Sequence, residues 1–111
     1  MRTYQTIAEV VQSIGLPFSY RAFPIGKAPN TPPYVLYFYE GNDDVMADNS
    51  NYAKIENLVI ELYTLEKDFQ QEANVESVLK QNNLTYTKDE EYIEATLMYR
   101  ITYEMEVLIN G

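Results

Sequence analysis

The side chains best able to do chemistry in this sequence are carboxylates, because it contains no histidine and no cysteine. That composition excludes zinc sites built from those residues, Cys-His pairs and Ser-His-Asp triads. Two acidic pairs remain, Asp43-Asp44 and Glu90-Glu91. Hydrolysis of a glycoside needs two carboxylates on opposite sides of a cleft, whereas these pairs are adjacent in predicted polar turns. The pairs therefore indicate solvated charge.

Three other patterns also fall short of a catalytic or cofactor site. Asn42, Asp44 and Asp48 have side chains suited to calcium, but the segment lacks the loop glycine and the final bidentate glutamate of a helix–loop–helix calcium site. Ser77 and Lys80 match a Ser-x-x-Lys spacing, but no accompanying catalytic motif is present. The four glycines are too scattered for a phosphate-binding loop. The sequence thus predicts no enzyme, no cofactor and no metal.

The charge is strongly acidic and unevenly distributed. The formal net charge is −9, of which residues 1–55 carry −1 (five acids, four bases) and residues 56–111 carry −8 (twelve acids, four bases). Phosphate binding needs lysine and arginine to displace counterions, so this composition disfavours direct binding of nucleic acid. The acids either serve solubility or form a face that repels nucleic acid or meets a basic partner.

The bulk composition indicates a protein without a membrane anchor. No apolar run approaches the roughly 20 residues that a membrane-spanning helix needs. The amino-terminal segment is interrupted by Glu9 and Gln12, so it lacks the continuous apolar core of a signal peptide. Together with the absence of cysteine, this predicts a single domain, residues 1–111, that is made in a reducing cytoplasm.

Hydrophobic periodicity predicts the elements that must position these residues. Ile7, Val10, Val11 and Ile14 lie on one helical face, which predicts a helix over residues 3–14 that Thr3 caps. A second helical pattern spans about residues 66–82, with Thr64, Glu66 or Asp68 at its start and Asn82-Asn83 at its end. Alternating patterns predict strands at residues 16–23, 34–40, 58–64, from Leu84 and Tyr86 onward, and 97–109.

The order α-β-β-β-α-β-β predicts an α+β fold, with a mainly antiparallel sheet of about five strands and two helices packed on one face. Two helices leave the other face of such a sheet uncovered. The sequence has eleven tyrosines, several of which alternate on strands. Tyrosine suits a surface that is buried by a partner yet partly wet, although it also simply favours strands. We predict an interface on the exposed sheet that includes Tyr37, Tyr39, Tyr99 and Tyr103.

Four stretches of the sequence, in this order, resemble a known family: "PPYVLYFYEG", "ADNSNY", "ELYTLEKDFQQEANVESVL" and "LTYTKDEEYIEATLMYRITYEMEV". The family is that of the small tail-completion proteins of siphophages and prophages of Gram-positive bacteria. These proteins look related to the tail terminators and head–tail joining proteins of the phage neck. The resemblance covers about residues 4–108. Its most specific positions are Ala47-Asp48-Asn49 with Tyr52, and Leu62-Tyr63-Thr64 with Lys67-Asp68.

The resemblance implies a structural protein of the virion, assembled in the host cytoplasm. Such proteins form a ring, commonly a hexamer, on the last ring of the tail tube. The ring stops tube growth and offers a surface to the head connector protein. The implied partners are therefore further copies of the chain, the tail tube protein and the head connector protein. DNA passes through the lumen without being bound.

A ring subunit needs two different patches, one for each neighbour, because head-to-tail contacts close by rotation. The near-neutral first half and the acidic second half of the chain are suited to these roles. We expect two loops to project from the sheet and contact neighbours or the tube. The proline-rich loop "PIGKAPNTPP" contributes Lys27 and Asn30, and the following polar loop contributes Asp48, Asn49 and Tyr52. A stiff loop loses less entropy on docking.

Two alternatives of other classes remain at this stage. An acidic DNA mimic that inhibits a host nucleic-acid-binding protein would need carboxylates spaced along one surface like phosphates. A small hydrolase with a carboxylate-bound metal would need Asp43, Asp44 or Asp48 to converge with other acids.

Overall fold

The computed structural model describes residues 2–42 and 53–110. It contains two helices and five strands in the predicted order. The elements are α1 (Tyr4–Gln12), β1 (Phe18–Tyr20), β2 (Tyr34–Asn42), β3 (Ala53–Thr64), α2 (Phe69–Gln81), β4 (Thr87–Ile93) and β5 (Met98–Asn110). The predicted α+β fold is confirmed.

The strands form one sheet in the order β1-β2-β3-β5-β4. β1 runs parallel to β2, whereas the three other pairs are antiparallel, so the sheet is mixed but mainly antiparallel. The long strands β3 and β5 pair along twelve residues, from Ala53 opposite Asn110 to Thr64 opposite Tyr99. This central pair is the framework on which the outer strands and the helices are placed.

Thr3 caps α1 as the sequence predicts, and it does so within a capping box. The Thr6 N–H donates to the Thr3 hydroxyl at 3.1 Å, and the Thr3 N–H donates to the Thr6 hydroxyl at 2.8 Å. Each bond satisfies an amide that has no partner within the helix. The helix ends at Gln12, two residues before the predicted end, and Gly15 then adopts a positive φ of 88° that favours glycine.

Asp68 is the residue that caps α2. Its side chain accepts a hydrogen bond of 3.0 Å from the Gln71 N–H, and the helix begins at Phe69, three residues later than predicted. Asn82 follows the last helical residue, and Asn83 adopts a positive φ of 58°. The predicted end of this helix is therefore confirmed.

Replacing Asp68 with alanine is expected to lower the free energy of unfolding by about 1 kcal/mol, because the Gln71 amide loses its partner. Asp68→Asn is the matched control, since asparagine caps helices about as well. Urea denaturation measures both variants. Equal losses in the two variants would show that charge rather than capping is responsible.

One face of the sheet packs against both helices. In the described strands, the residues with no exposed surface all lie on this face; they are Val35, Leu58, Ile60, Leu62, Ile101, Tyr103 and Ile109. They form one cluster with the buried helix residues Ile7, Val11, Val75 and Leu79. The predicted placement of two helices on one face is thus confirmed.

The tyrosines are distributed differently from the prediction. Tyr37, Tyr39 and Tyr103 lie on the helix-covered face, where Tyr103 has no exposed surface and the other two pack against the core. The expectation that these residues lie on the exposed sheet is therefore wrong. The physical reason is that the gap between a sheet and two helices needs large side chains to fill it. A tyrosine fills it while its hydroxyl reaches a polar partner at the edge, as Tyr103 does with Glu76 at 2.8 Å.

The side chains of Tyr20, the last residue of β1, and of Arg21, which follows it, cover part of the outer edge of β2. The Tyr39 N–H donates to the Tyr20 hydroxyl at 3.2 Å, and the Arg21 guanidinium lies 3.5 Å from the Tyr39 carbonyl oxygen. Because β1 pairs with β2 only from Phe18 to Tyr20, these contacts replace the strand pairing that would otherwise continue. They leave the main-chain groups of Tyr39 unavailable to an invading strand.

Candidate assembly surface

The sheet face opposite the helices, here called the open face, is formed by the alternate residues of four strands. They are Tyr34, Leu36 and Phe38 of β2; Ile55, Asn57, Val59, Glu61 and Tyr63 of β3; Met98, Arg100, Thr102, Glu104, Glu106 and Leu108 of β5; and Thr87, Asp89, Glu91 and Ile93 of β4. Antiparallel partners share a face, so the register assigns these residues directly.

The open face carries two hollows that are open to solvent. One hollow of about 620 Å³ is lined by residues of four strands, including Phe38 and Val59. A neighbouring hollow of about 780 Å³ shares Glu40, Val59, Thr87 and Glu104 with it. We call the two hollows together the groove. The side chains around it offer a surface against which a protruding segment can pack.

The groove is acidic. Five carboxylates line the first hollow against two guanidinium groups: Glu40, Glu61, Asp89, Glu91 and Glu104 against Arg21 and Arg100. Arg100 forms an ion pair with Glu91, and the Arg21 guanidinium lies 4.6 Å from the centre of the Phe38 ring. Within the described residues, Glu40, Asp89 and Glu104 have no cationic partner. Their charge is available to a partner.

An aromatic patch closes one end of the open face. Tyr34 and Tyr63 stack with their ring centres 5.0 Å apart, and Phe23 packs edge-on against Tyr34 at 5.4 Å. The Tyr63 hydroxyl donates to Glu61 at 2.8 Å. Burial, together with the neighbouring Glu61 carboxylate, raises the pKa of Tyr63 to about 12, so the hydroxyl remains a neutral donor at physiological pH.

The loop between β1 and β2 continues from Phe23 in this patch to an exposed turn. Its residues Pro24 to Lys27 form a tight turn in which the Lys27 N–H donates to the Pro24 carbonyl oxygen at 2.9 Å. Gly26 has a φ of 80°, which the third residue of a type II turn requires. Ile25 is fully exposed (103%) at the tip of this turn.

The acidic pair Glu90-Glu91 is split between the two faces of β4. Glu90 accepts from Lys67 at 2.6 Å on the helix side, whereas Glu91 pairs with Arg100 on the open face. The two carboxylates therefore do not converge on one substrate. Within residues 2–42 and 53–110, no three carboxylates are grouped so as to hold a metal ion. The predicted candidates Asp43, Asp44 and Asp48 lie outside the described residues.

The predicted interface residues that the structure describes do not form one surface. Lys27 and Asn30 are exposed on the loop after β1, as expected for loop residues. Tyr99 is half-buried on the helix side of the sheet, where it packs against Tyr92 with ring centres 5.0 Å apart. The remaining residues are the buried or half-buried Tyr37, Tyr39 and Tyr103 and, outside the described residues, Asp48, Asn49 and Tyr52. That Lys27 and Asn30 contact a partner remains a prediction.

Ile25 and the groove residues of β5 are not among the interface residues predicted from the sequence. A signal for the latter was present, because Arg100, Thr102, Glu104 and Glu106 alternate with an apolar series and must face away from the core. No comparable signal marked Ile25, since a single apolar residue in a loop is ordinary. In the described part of the chain, neither helix has the length and apolar character needed to cross a membrane.

Comparisons with known proteins add a likeness of fold. No protein-family model matches the chain, and no curated protein matches it. Among solved structures, a chain of the virion of a native gene transfer agent particle is similar, with a TM-score of 0.58 and 16% sequence identity. The match covers 97% of this chain and 89% of that chain. At this identity the two chains share a fold over nearly their whole length.

Proposed function

We propose that the chain is a structural protein of a phage-like virion, which forms a ring at the neck that caps the tail tube and joins the tail to the head. The observation that carries the proposal is the shared fold with a chain of a gene transfer agent virion, over 97% of this chain. The resemblance of its sequence stretches to tail-completion proteins supports the same class independently. In this proposal the chain is not an enzyme and acts through its surfaces alone.

The arrangement of surfaces supports a ring. A head-to-tail contact needs two different complementary patches on each copy. The acidic groove and the turn that carries Ile25 and Lys27 are two such patches. The groove lies on the sheet, and the turn is closed by the hydrogen bond from the Lys27 N–H to the Pro24 carbonyl oxygen.

The charge supports passage of DNA without binding. Each copy carries a formal charge of −9, so a hexameric ring would carry six times −9, or −54. Charge within about 8 Å of the DNA is not fully screened at physiological ionic strength. An acidic lumen would therefore keep the phosphate backbone from adhering during ejection.

To test the proposal, the gene is deleted from a phage or prophage that encodes this chain, and the particles are examined by electron microscopy. We expect separate filled heads and tails, and a loss of infectious particles of several orders of magnitude. The wild-type gene supplied in trans should restore joined particles. Joined, infectious particles from the deletion would contradict the proposal.

Complementation with an Asp48→Ala/Tyr52→Ala variant tests the polar loop. We expect a folded chain that fails to join heads to tails, because Asp and Asn side chains hold such loops in shape and Tyr52 offers contact area. Ser77→Ala, which changes an exposed residue of α2, is the control and should complement fully. Circular dichroism confirms that both variants fold. Full complementation by the loop variant would remove the loop from the contact.

A further inference from the structure

The turn at Pro24 to Lys27 exposes an apolar side chain that contributes nothing to the core. Ile25 is exposed over its whole side chain, and Lys27 next to it forms no ion pair within the described residues. A partner that covers the isoleucine and pairs with the lysine would stabilise the complex between the two. We therefore call the turn, residues Pro24 to Lys27, the anchor.

The base of this loop is fixed on the sheet. The Arg21 guanidinium lies over the Phe38 ring at 4.6 Å, and Phe23 packs edge-on against Tyr34 at 5.4 Å. The tight turn itself is closed by the hydrogen bond between Lys27 and Pro24. An anchor that is already ordered loses little conformational entropy when it docks.

The groove on the open face is complementary to this anchor. Its lining includes Phe38, whose ring is partly exposed beside the Arg21 guanidinium, and the nearly buried Val59, so Phe38 is the apolar surface that an isoleucine can reach. Glu40, Asp89 and Glu104 in the groove have no cationic partner within the described residues, and Glu104 lines both hollows. A partly exposed aromatic ring with free carboxylates around it matches an isoleucine that is followed closely by a lysine.

We propose, resting on the ring function above, that the turn carrying Ile25 and Lys27 inserts into the groove of the next copy. Ile25 packs against the exposed part of Phe38, and the Lys27 ammonium group meets the Glu104 carboxylate. Since turn and groove are different surfaces of one chain, each copy gives one contact and receives another. Such a head-to-tail contact repeats and closes into a ring when the rotation between copies permits.

Charge reversal tests the pairing of Lys27 with Glu104. In the full chain, Lys27→Glu and Glu104→Lys are each expected to weaken self-association by at least about tenfold, because like charges then face each other. An equal mixture of the two variants should associate like the wild type, since every contact in an alternating ring again joins opposite charges. The variant carrying both substitutions should also recover. Sedimentation velocity measures association, and thermal unfolding checks each fold.

Cysteine cross-linking tests the placement of the turn, because the chain has no cysteine of its own. A tagged Ile25→Cys chain is mixed with an untagged Thr102→Cys chain, and Thr102 lines the groove. We expect a disulfide between the two chains under mild oxidation. Ile25→Cys mixed with Ser77→Cys, which lies on α2 behind the sheet, should give none.

Equal cross-linking to Thr102→Cys and Ser77→Cys would overturn the proposal. So would a wild-type chain that does not associate, a mixture of Ile25→Cys and Thr102→Cys chains that does not cross-link, or reversed variants that do not recover when mixed. Other results separate the proposed function from the proposed contact. If the deletion mutant makes normal particles while the mixture recovers, the contact stands and the neck role does not. If Lys27→Glu complements the deletion fully, the neck role stands and the contact does not.

Discussion

Replacing Tyr103 with alanine is expected to lower the free energy of unfolding by about 3–5 kcal/mol, as for other large buried aromatic residues. Tyr103 has no exposed surface and packs between Tyr86, at a ring distance of 5.2 Å, and the buried residues of the sheet. The substitution leaves a cavity beneath α2 and removes the hydroxyl that donates to Glu76. Denaturant titration measures the loss.

Tyr103→Phe is the matched control, because it keeps the ring and removes only the hydroxyl. Its expected cost is about 1 kcal/mol, the usual net contribution of one hydrogen bond. Glu76 keeps its ion pair with Lys88 at 2.6 Å and so is not left without a partner. Burial and the hydrogen bond to Glu76 both raise the pKa of Tyr103, so the hydroxyl is not ionised in the folded state. Similar costs for the two substitutions would show that the ring is not part of the core.

Replacing Glu72 with glutamine is expected to lower the free energy of unfolding by about 1–3 kcal/mol at neutral pH. The Glu72 side chain is almost fully buried and lies between Lys67, at 2.6 Å, and Lys88, at 2.8 Å. The two lysines tie α2 to the turn before it and to β4. They keep their second partners, Glu90 and Glu76, and are partly exposed, so the loss stays below that of a fully buried pair.

The pH dependence of stability gives a second measurement of the same site. Burial raises the pKa of Glu72, but the hydrogen bonds and charges of Lys67 and Lys88 outweigh it and lower the pKa below its ordinary value of 4.5. The stabilisation is therefore complete above about 4.5 and is lost as the pH falls through the lower folded-state pKa. The wild type should lose stability over this interval, and Glu72→Gln should lose less.

Glu94→Gln provides the control for removal of one carboxylate. Glu94 is exposed in the turn between β4 and β5, and its substitution should change stability by less than about 0.5 kcal/mol. As the pH falls, Glu94→Gln should lose stability as the wild type does. If Glu72→Gln and Glu94→Gln behave alike at every pH, the ion pairs at Glu72 do not contribute to stability.

Local patterns were sufficient to predict the elements. The spacing of Ile7 and Val11 predicts α1, and the alternation of Ile101, Tyr103 and Met105 predicts β5. These signals depend on neighbours within one or two turns of the chain, which the sequence displays directly. The ends of the elements were less well predicted. The fourth strand was expected to begin at Leu84, but β4 begins at Thr87. Leu84 instead contacts the end of α2, because its N–H donates to the Leu79 carbonyl oxygen at 2.9 Å.

The assignment of faces was only partly predictable. The sequence shows that Tyr103 shares a face with Ile101 and Met105, so its burial follows from the apolar series rather than from the number of tyrosines. The prediction of Tyr103 at an interface did not take its apolar neighbours Ile101 and Met105 into account. A tyrosine's environment is set by the strand that carries it and by the element that covers that strand.

By itself, the sequence determined the order of helices and strands, the Thr3 cap of α1, the α+β class and the strongly acidic character of the second half of the chain. The tertiary structure decided which carboxylates are free, because the partner of each depends on strand order and register. Glu91 meets Arg100 since β4 lies beside β5, and Glu104 faces the groove without a partner within the described residues. The hollows of the open face arise where residues of four strands meet, which no local pattern encodes.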